Sequence, residues 1–249
     1  MSEFADQTAI VVGAARGIGR AAAERLAGQG ARVVGFDRDE AALQATTSAL
    51  VAEGLNVTAR PVDVTDDRAT AAAVEATLAE GPVQILVNCA GITGETNRKP
   101  HQVDPEDFDR VYRVNLRAAF LLTRLVAPAM VAQGYGRMLH VASMAGKEGN
   151  AGMLAYSATK AGLIGLVKSA GKDYADTGVT INALAPAVIR TDMVAAVPAA
   201  LIKDLTDRIP MRRTGRLDEV AAMIAFIVSP ACGFCTGFTF DLSGGRATY

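Results

Sequence analysis

The sequence predicts an α/β protein with a doubly wound, mostly parallel seven-stranded sheet and helices on both faces. Three observations predict this fold class. Apolar strands alternate with longer helical patterns along the chain. The strands are apolar throughout, which is typical of strands covered on both sides. Residues suited to chemistry follow directly after strands, where parallel sheets bind their ligands.

The elements follow one another in strict order. The predicted strands are Ala9–Val12, Arg32–Phe36, Val57–Val62, Ile85–Asn88, Arg137–Ala142, Val179–Leu184 and Phe238–Leu242. The predicted helices cover about 18–29, 41–52, 68–79, 108–132, 154–174 and 219–228. In the first helix Ala22, Ala23 and Leu26 recur at helical spacing. Right-handed crossovers between such strands give a doubly wound sheet.

The length of 249 residues suits one α/β domain, and we expect residues 1–249 to form a single dinucleotide-binding and catalytic domain. No linker or internal repeat interrupts the pattern. The longest irregular stretch is an excursion at about 191–215, which is either a substrate lid or a surface helical excursion without a gating role.

The charge pattern excludes several classes of protein. The formal net charge is −1, with 25 basic and 26 acidic residues and no basic stripe, which argues against nucleic acid or an anionic membrane as a partner. Glu3 and Asp6 precede the first strand where a secretory signal needs positive charge. No uncharged apolar run comes near the roughly 18 to 20 residues of a membrane span. We therefore expect a cytoplasmic protein.

The three cysteines do not form a disulfide framework in a chain of this length. Cys232 and Cys235 form a Cys-x-x-Cys pattern, which also occurs in zinc and redox sites. Zinc needs two further ligands, and the histidines, His101 and His140, are distant in sequence. His140 lies in an apolar strand, which favours a core histidine. We therefore predict no metal site.

A glycine-rich loop directly follows the first strand and opens the first helix. Its residues are Gly13, Arg16, Gly17, Ile18 and Gly19. Glycines permit a tight turn and a close approach of backbone and ligand, and the helix N-terminus offers free amides to a pyrophosphate. The pattern alone is weak, but its position between a strand and a helix predicts a Rossmann-type dinucleotide site.

Asp37 ends the second strand, 24 residues after Gly13. A carboxylate at this point accepts hydrogen bonds from the adenosine ribose and repels a 2′-phosphate, so it favours NAD over NADP. Arg16 and Arg38 argue the other way, because either guanidinium attracts that phosphate. We give the carboxylate more weight, because repulsion between a buried carboxylate and a 2′-phosphate costs more free energy than a solvated arginine gains by pairing with that phosphate.

The chain resembles the short-chain dehydrogenase/reductase family in its one-domain form. The resemblance covers nearly the whole chain and rests on Gly13-x-x-x-Gly17-Ile-Gly19, Asp63-Val64, Asn88-Cys-Ala-Gly91, Asn115, Ser143, Tyr156-x-x-x-Lys160 and Pro186-x-x-Ile-x-Thr191. Each motif is modest alone, but their order and spacing are specific. The resemblance implies an oxidoreductase that moves a hydride between nicotinamide and a secondary alcohol or carbonyl.

The resemblance also implies further cofactor contacts. Asp63 and Val64 resemble the adenine contacts, and Asn88, Ala90 and Gly91 resemble the segment beside the cofactor's ribose. Pro186, Ile189 and Thr191 resemble the motif that contacts the nicotinamide amide and the phosphates.

The catalytic residues implied are Asn115, Ser143, Tyr156 and Lys160. Tyr156 and Lys160 lie four residues apart and share a helix face. We expect the ammonium and a positive nicotinamide ring to lower the pKa of Tyr156, which then exchanges a proton with the substrate. By resemblance, Lys160 also holds the nicotinamide ribose, and Asn115 anchors a water chain. Ser143 follows a buried strand, where its hydroxyl holds the substrate oxygen.

Simpler explanations exist for each of these residues. A Tyr-x-x-x-Lys pair is often an amphipathic surface pair, a serine after a strand is often a helix cap, and an asparagine in a helix is often solvated. Their joint occurrence at family spacing, behind a dinucleotide loop, favours catalysis.

The substrate residues are the least specified. We predict that Ser143, Tyr156, Lys147, Glu148, Asn150 and Met153 line the substrate site. We also expect the substrate beside the segments 92–101 and 144–153, which are polar and contain no aromatic residue. Such walls suit a small polyhydroxy carboxylate, although charges at loop tips often face only solvent. Segment 144–150 and the ending 241–249 resemble dehydrogenases of 2-keto-3-deoxy sugar acids within the family.

Two alternatives remain open. A 3-oxoacyl thioester (acyl-carrier-protein) reductase fits the scaffold, but such reductases commonly favour NADPH, which Asp37 opposes. A nucleotide-sensing scaffold without turnover typically lacks the tyrosine or lysine. The family commonly forms tetramers, so we expect a homotetramer, in which Arg246 or Tyr249 is a candidate to reach a neighbour's active site.

Overall fold

The computed structural model describes residues 3–191 and 206–247. Its strands are β1 (Thr8–Val12), β2 (Arg32–Asp37), β3 (Val57–Pro61), β4 (Ile85–Asn88), β5 (Gly136–Val141), β6 (Val179–Pro186) and β7 (Thr239–Leu242). Its helices are α1 (Gly17–Gly28), α2 (Glu40–Ala52), α3 (Asp67–Ala79), α4 (Pro105–Tyr112), α5 (Ala118–Ala132), α6 (Met144–Glu148), α7 (Leu154–Asp173) and α8 (Leu217–Ile227).

The seven strands form one sheet in the order β3-β2-β1-β4-β5-β6-β7. Every neighbouring pair is parallel. The chain winds outward in one direction from β1 to β3 and then in the other from β4 to β7. The predicted doubly wound fold is confirmed, and the point where the winding reverses lies between β1 and β4.

Hydrophobic cores cover both faces of the sheet. On one face, Leu122 of α5 and Val167 of α7 pack with Ile10 of β1. On the other, Leu26 of α1 and Ile224 of α8 pack with the remaining strand side chains. Successive strand residues point to opposite faces. Both faces are therefore covered by apolar packing, which explains why most strand positions are apolar.

The predicted long helix at 108–132 is wrong in detail, because it is not one regular helix. The chain forms α4, then a π-helical turn at Arg113–Arg117, and then α5. Turns of this kind are rare and frequently occur at functional sites. This one contains Asn115, so the irregularity lies where the sequence predicts a catalytic residue. The short helix α6, directly after Ser143, was not predicted.

The predicted excursion at 191–215, whether a lid or a surface helical excursion, lies largely outside the described residues. Its base is described: Ile189 and Gly215 form a parallel bridge. Arg190 N donates to Gly215 O over 2.8 Å, and Gly215 N donates to Val188 O over 2.9 Å. These bonds close the excursion at its base.

One described segment, Pro105–Ala132, contains an 18-residue window with a mean hydropathy of 1.4, and by length and composition it is long and apolar enough to cross a membrane. More than half of that window, 56%, is buried inside the protein, and buried core helices meet the same criteria. The window runs through α5, whose Leu122 and Val126 pack in the core.

Candidate active site

The carboxyl ends of the strands open into a cavity of about 850 Å³. The predicted cofactor residues that line it are Gly13, Arg16, Gly17, Ile18, Gly19, Asp37, Asp63, Val64, Ala90, Gly91, Tyr156, Lys160, Pro186, Ile189 and Thr191. Ser143 also lines it, and Asn88 does not. The fold therefore brings together residues that are spread over most of the sequence.

The glycine loop has the geometry of an anion cradle. Gly13 and Gly17 have positive φ angles of 78° and 56°. A Cβ at Gly19 would lie 2.0 Å from Gly13 O, so only glycine fits there. The N-cap of α1, Arg16, makes no side-chain cap, and the first turn of α1 contains no acidic residue. The free amides and the helix dipole are available to a pyrophosphate, so the loop fits a dinucleotide.

Asp37 is fixed at the wall of this cavity by two backbone amides. Its Oδ2 accepts from Ala15 N at 3.1 Å and its Oδ1 accepts from Asp39 N at 3.0 Å. Of the two arginines that argue for a 2′-phosphate, Arg16 forms an ion pair with Asp39. Arg38 lines the cavity. The carboxylate is held in place, while one opposing guanidinium is engaged elsewhere.

Asn88 lies beneath the cavity and not in its wall. It is 2% exposed, and its Oδ1 accepts from Ala90 N at 3.1 Å. Its Nδ2 lies 3.3 Å from His140 Nδ1, and His140 Nε2 lies 3.0 Å from Thr123 Oγ1. Burial lowers the pKa of His140 to about 4, so the imidazole is neutral at pH 7. His140 is a core histidine, as predicted, and Asn88 braces the cavity wall from behind.

Asn115, in the π turn, bonds to the segment that follows β4. Asn115 is fully buried. Its Oδ1 accepts from Ile92 N at 2.8 Å, and its Nδ2 donates to Ile92 O at 2.9 Å and to Thr159 Oγ1 at 3.2 Å. The simpler explanation of a solvated asparagine is therefore wrong. Asn115 joins the wall of the cavity to α7, close to Lys160.

Lys160 is 3% exposed and is anchored to the neighbouring strand. Its Nζ donates to Val141 O over 2.6 Å. A Cβ at Gly91 would lie 3.3 Å from this nitrogen and 3.5 Å from Asn115 Oδ1, so glycine keeps the space beside both groups open. Burial lowers the pKa of Lys160 to about 8. The simpler explanation of Tyr156 and Lys160 as an amphipathic surface pair is wrong, since the Lys160 ammonium is buried inside the protein.

Tyr156 and Ser143 meet in the cavity and share a hydrogen bond. The prediction that the ammonium lowers the pKa of Tyr156 is wrong for the groups of this chain. Burial raises that pKa, because desolvation disfavours the phenolate, and the bond with Ser143 offsets only part of the increase. Lys160 Nζ lies 5.8 Å from the centre of the phenol ring. Ser143 also caps α6, its Oγ accepting from Ala145 N at 3.1 Å.

The four remaining predicted substrate residues line neither this cavity nor a smaller one of about 390 Å³ beside it. Lys147 Nζ pairs with Asp241, at 2.8 and 2.9 Å from its two carboxylate oxygens. Glu148 and Asn150 both contact Arg246. Met153 is the N-cap of α7. The described charges of this segment are thus engaged with the end of the chain.

Several cavity residues were not singled out from the sequence. Ile92, Thr93 and Gly94 lie in a segment predicted only in general terms to face the substrate, while Cys89 falls inside a predicted motif. Arg110 and Val114 reach the cavity from α4 and the π turn, and no local pattern in the sequence marks either residue. Burial raises the pKa of Cys89 to about 12, so it is a neutral thiol.

Within residues 3–191 and 206–247, no group of three or more His, Cys, Asp or Glu side chains is arranged to hold a metal ion. Cys232 and Cys235 are free thiols. Asn182 Nδ2 donates to Cys235 O over 2.7 Å, which ties this turn to β6 on the side of the sheet away from the cavity.

A family model described as enoyl-(acyl carrier protein) reductase matches residues 13–247. The chain is 43% identical to a 2-dehydro-3-deoxy-L-rhamnonate dehydrogenase (NAD(+)) of Sphingomonas sp. (strain SKA58), covering 99% of this chain and 97% of that protein. It is 37% identical to a 3-oxoacyl-(acyl-carrier-protein) reductase of Escherichia coli (strain K12), covering 97% and 98%.

Among solved structures, an actinorhodin polyketide ketoreductase variant with NADPH superposes with a TM-score of 0.92, at 32% identity and 98% coverage of both chains. The match to the family model and the identities over almost the full length agree with the motifs and the parallel sheet. The chain belongs to the short-chain dehydrogenase/reductase family and is a nicotinamide-dependent oxidoreductase acting on CH–OH groups.

Proposed function

We propose that this enzyme uses NAD to oxidise a 2-keto-3-deoxy sugar acid at a secondary alcohol. The choice of NAD rests on Asp37, whose carboxylate is held at the cavity wall by the backbone amides of Ala15 and Asp39. A fixed carboxylate accepts from ribose hydroxyls and repels a 2′-phosphate. The relative at 43% identity is named as an NAD-dependent dehydrogenase of a sugar acid, which supports the same conclusion.

The cofactor, held by the residues that line the cavity, would supply the hydride chemistry and, when oxidised, positive charge. Tyr156 holds the proton that is exchanged with the substrate oxygen. Its raised pKa keeps the phenol protonated at neutral pH, ready to donate in the reductive direction, while oxidation needs added positive charge to favour the phenolate. Ser143, bonded to Tyr156, donates to the same oxygen as negative charge develops there.

Lys160 and Asn115 support this pair. The buried ammonium of Lys160 provides positive charge inside the cavity, beside the space that Gly91 leaves open. In this position it holds ribose hydroxyls and exchanges protons. Asn115 fixes Ile92 in the adjoining wall and anchors a water chain from Lys160 to solvent.

The substrate lies in the cavity beside Ser143 and Tyr156, where Thr93 and Arg110 also line the wall. The segment 149–153 leads into α7 beside this site without lining the cavity, and its Asn150 N donates to Ser157 Oγ over 3.0 Å next to Tyr156. The polar side chains of the cavity wall favour a small polyhydroxy acid over an extended apolar chain.

A 3-oxoacyl thioester reductase is the second candidate. It is favoured by the 37% identity to a protein of that name and by the NADPH of a related solved structure. A catalytically silent nucleotide sensor is the third, but the buried Lys160 argues against it. A buried cation is costly, and Tyr156 and Ser143 bond beside it.

The test follows absorbance at 340 nm with NAD or NADP and a panel of sugar acids, sugars, aliphatic alcohols and 3-hydroxyacyl thioesters. We expect NAD reduction with a sugar acid. A response only to thioesters with NADP would make the reductase the better account. NAD binding without turnover of any substrate would support the silent sensor.

We further propose that residues 1–249 act as one domain in a cytoplasmic homotetramer. Exposed aromatic side chains support association, since Phe120 of α5 is 54% exposed and Phe226 of α8 is 46% exposed. Light scattering coupled to gel filtration gives the mass directly. A monomer at micromolar concentration would contradict this proposal.

A further inference from the structure

Two ion pairs join the segment after Ser143 to the end of the chain, and we refer to them as the C-terminal clamp. The first is Lys147–Asp241, and the second is Glu148–Arg246, with a nitrogen–oxygen distance of 2.6 Å. The residues of the two pairs are 94 and 98 positions apart, so the clamp is a tertiary constraint and not a local helix pair.

The clamp is partly buried, unlike an ordinary surface ion pair. The side chains of Lys147 and Arg246 are 9% and 10% exposed, and those of Asp241 and Glu148 are 26% and 27% exposed. Exposed pairs contribute little, whereas removing one partner of a buried pair leaves an uncompensated charge. Both cations are paired within their own chain, and Arg246 is engaged with Glu148.

The clamp acts on the helix that carries the catalytic serine. Ser143 caps α6, and Lys147 and Glu148 are its last residues. On its other side, α6 packs directly against α7: a Cβ at Gly146 would lie 2.6 Å from the carbonyl carbon of Lys160. The helix is therefore held between the Lys160 backbone and the C-terminal segment.

Arg246 extends the clamp to the loop that leads into Tyr156. Its guanidinium donates to Asn150 Oδ1 over 3.1 Å, and Asn150 N donates to Ser157 Oγ over 3.0 Å. The Arg246 side chain thus contacts both α6 and the start of the path to α7. One residue braces the segments that carry Ser143 and Tyr156.

The clamp also reaches the base of the 191–215 excursion. Met211 N donates to Gly244 O over 3.1 Å. Gly244 and Gly245 have φ angles of 61° and 88°, which favour glycine in the turn before Arg246. A Cβ at Gly245 would lie 3.2 Å from Pro210. The turn therefore packs between α6 and the returning excursion.

We propose that Asp241 and Arg246 are positioning residues for turnover: through the C-terminal clamp they hold α6 and the loop 149–153 at the spacing that brings Ser143 and Tyr156 to one substrate oxygen. Lys147 and Glu148 then serve as the clamp's partners on α6 and do not contact the substrate. The substrate side of this proposal rests on the proposed function.

The test has two comparisons. The first compares Arg246→Met with Arg246→Lys. The second compares the single variants Lys147→Asp and Asp241→Lys with the double variant that carries both substitutions and so exchanges the two charges. Misplacement of a catalytic group by about 1 Å costs roughly 100-fold in rate. We expect Arg246→Met to lower kcat by roughly 10- to 100-fold at unchanged NADH affinity, and Arg246→Lys to recover part of it. The double variant should recover activity that each single variant loses.

Glu80→Gln is the matched control. Glu80 pairs with Arg32 and Arg60 at the far end of the sheet, so this variant breaks two ion pairs without touching the cavity, and its kcat should equal that of the wild type. Wild-type kcat in Arg246→Met would overturn the proposal. So would a loss of NADH affinity and thermal stability equal to the loss of kcat, because that pattern is general unfolding.

The variants are measured with whichever panel substrate the wild type uses. If that substrate is not a sugar acid, the proposed function fails while a selective loss of kcat still supports the clamp. If the wild type turns over nothing, both proposals are overturned, since a positioning role requires a reaction.

Discussion

Gly19→Ala tests whether the glycine loop is a cofactor cradle, and Gly28→Ala in the same helix is its control. A Cβ at Gly19 would lie 2.0 Å from Gly13 O and 2.6 Å from Gly13 C, both backbone atoms. Ordinary contact requires the loop to move by more than about 1 Å, at a typical overpacking cost of about 1–3 kcal/mol. At Gly28 no heavy atom lies within 4 Å. Alanine there gains about 0.4–1 kcal/mol of stability through the unfolded state.

Two assays separate the effects. Urea unfolding should show Gly19→Ala less stable than the wild type and Gly28→Ala equal or more stable. Fluorescence titration should show NADH binding at least about tenfold weaker in Gly19→Ala, which is about 1.4 kcal/mol, and unchanged in Gly28→Ala. Wild-type NADH affinity in Gly19→Ala would refute the assignment of this loop to the cofactor.

Three further predictions concern Lys160, Asp37 and Asn115. Burial lowers the pKa of Lys160 from 10.5 to about 8, because desolvation disfavours the charged amine in the folded state. Lys160→Met should therefore raise the free energy of unfolding at pH 7 by up to about 3 kcal/mol, while activity is lost. Between pH 8 and 10.5 the lysine is protonated only in the unfolded state, and it loses this proton as the pH rises. The difference in unfolding free energy between Lys160→Met and the wild type should therefore shrink over this range, and a constant difference would contradict the prediction. Asp37→Asn should raise the kcat/KM ratio of NADP to NAD by roughly tenfold or more, since one repulsive charge is removed; an unchanged ratio would remove Asp37 as the selector. Asn115→Ala leaves the backbone groups of Ile92 without their partner and should cost about 1–3 kcal/mol, measured by urea unfolding, and a wild-type midpoint would show that water replaces the amide.

The elements that sequence analysis predicted well depend on local chemistry. The loop from Gly13 to Gly19 requires positive φ and close backbone approach, which glycine alone permits, and the following helix shows the 3.6-residue period. Asp37 ends a strand whose apolar pattern fixes its position at the sheet edge. Each of these features depends on residues that are close together in the sequence, so it can be predicted from one sequence.

The elements that were not predicted depend on distant partners. The π turn contains Asn115, whose side chain bonds to Ile92 and Thr159, 23 and 44 residues away. Lys147 was predicted to face the substrate, and its pairing with Asp241 joins residues 94 positions apart. The pKa of Tyr156 rises because of burial, which spacing within a helix does not reveal. Each of these differences arises from tertiary packing.

The most direct test of the central claim measures kcat and NADH affinity together in the wild type and in Tyr156→Phe, with the sugar acid that the wild type oxidises fastest. The variant loses only the hydroxyl that meets Ser143 in the cavity. The account predicts a fall in kcat of at least about 100-fold at unchanged NADH affinity, because general acid–base catalysis typically contributes that much or more. A Tyr156→Phe enzyme that binds NADH and turns over its substrate at the wild-type rate would contradict the account.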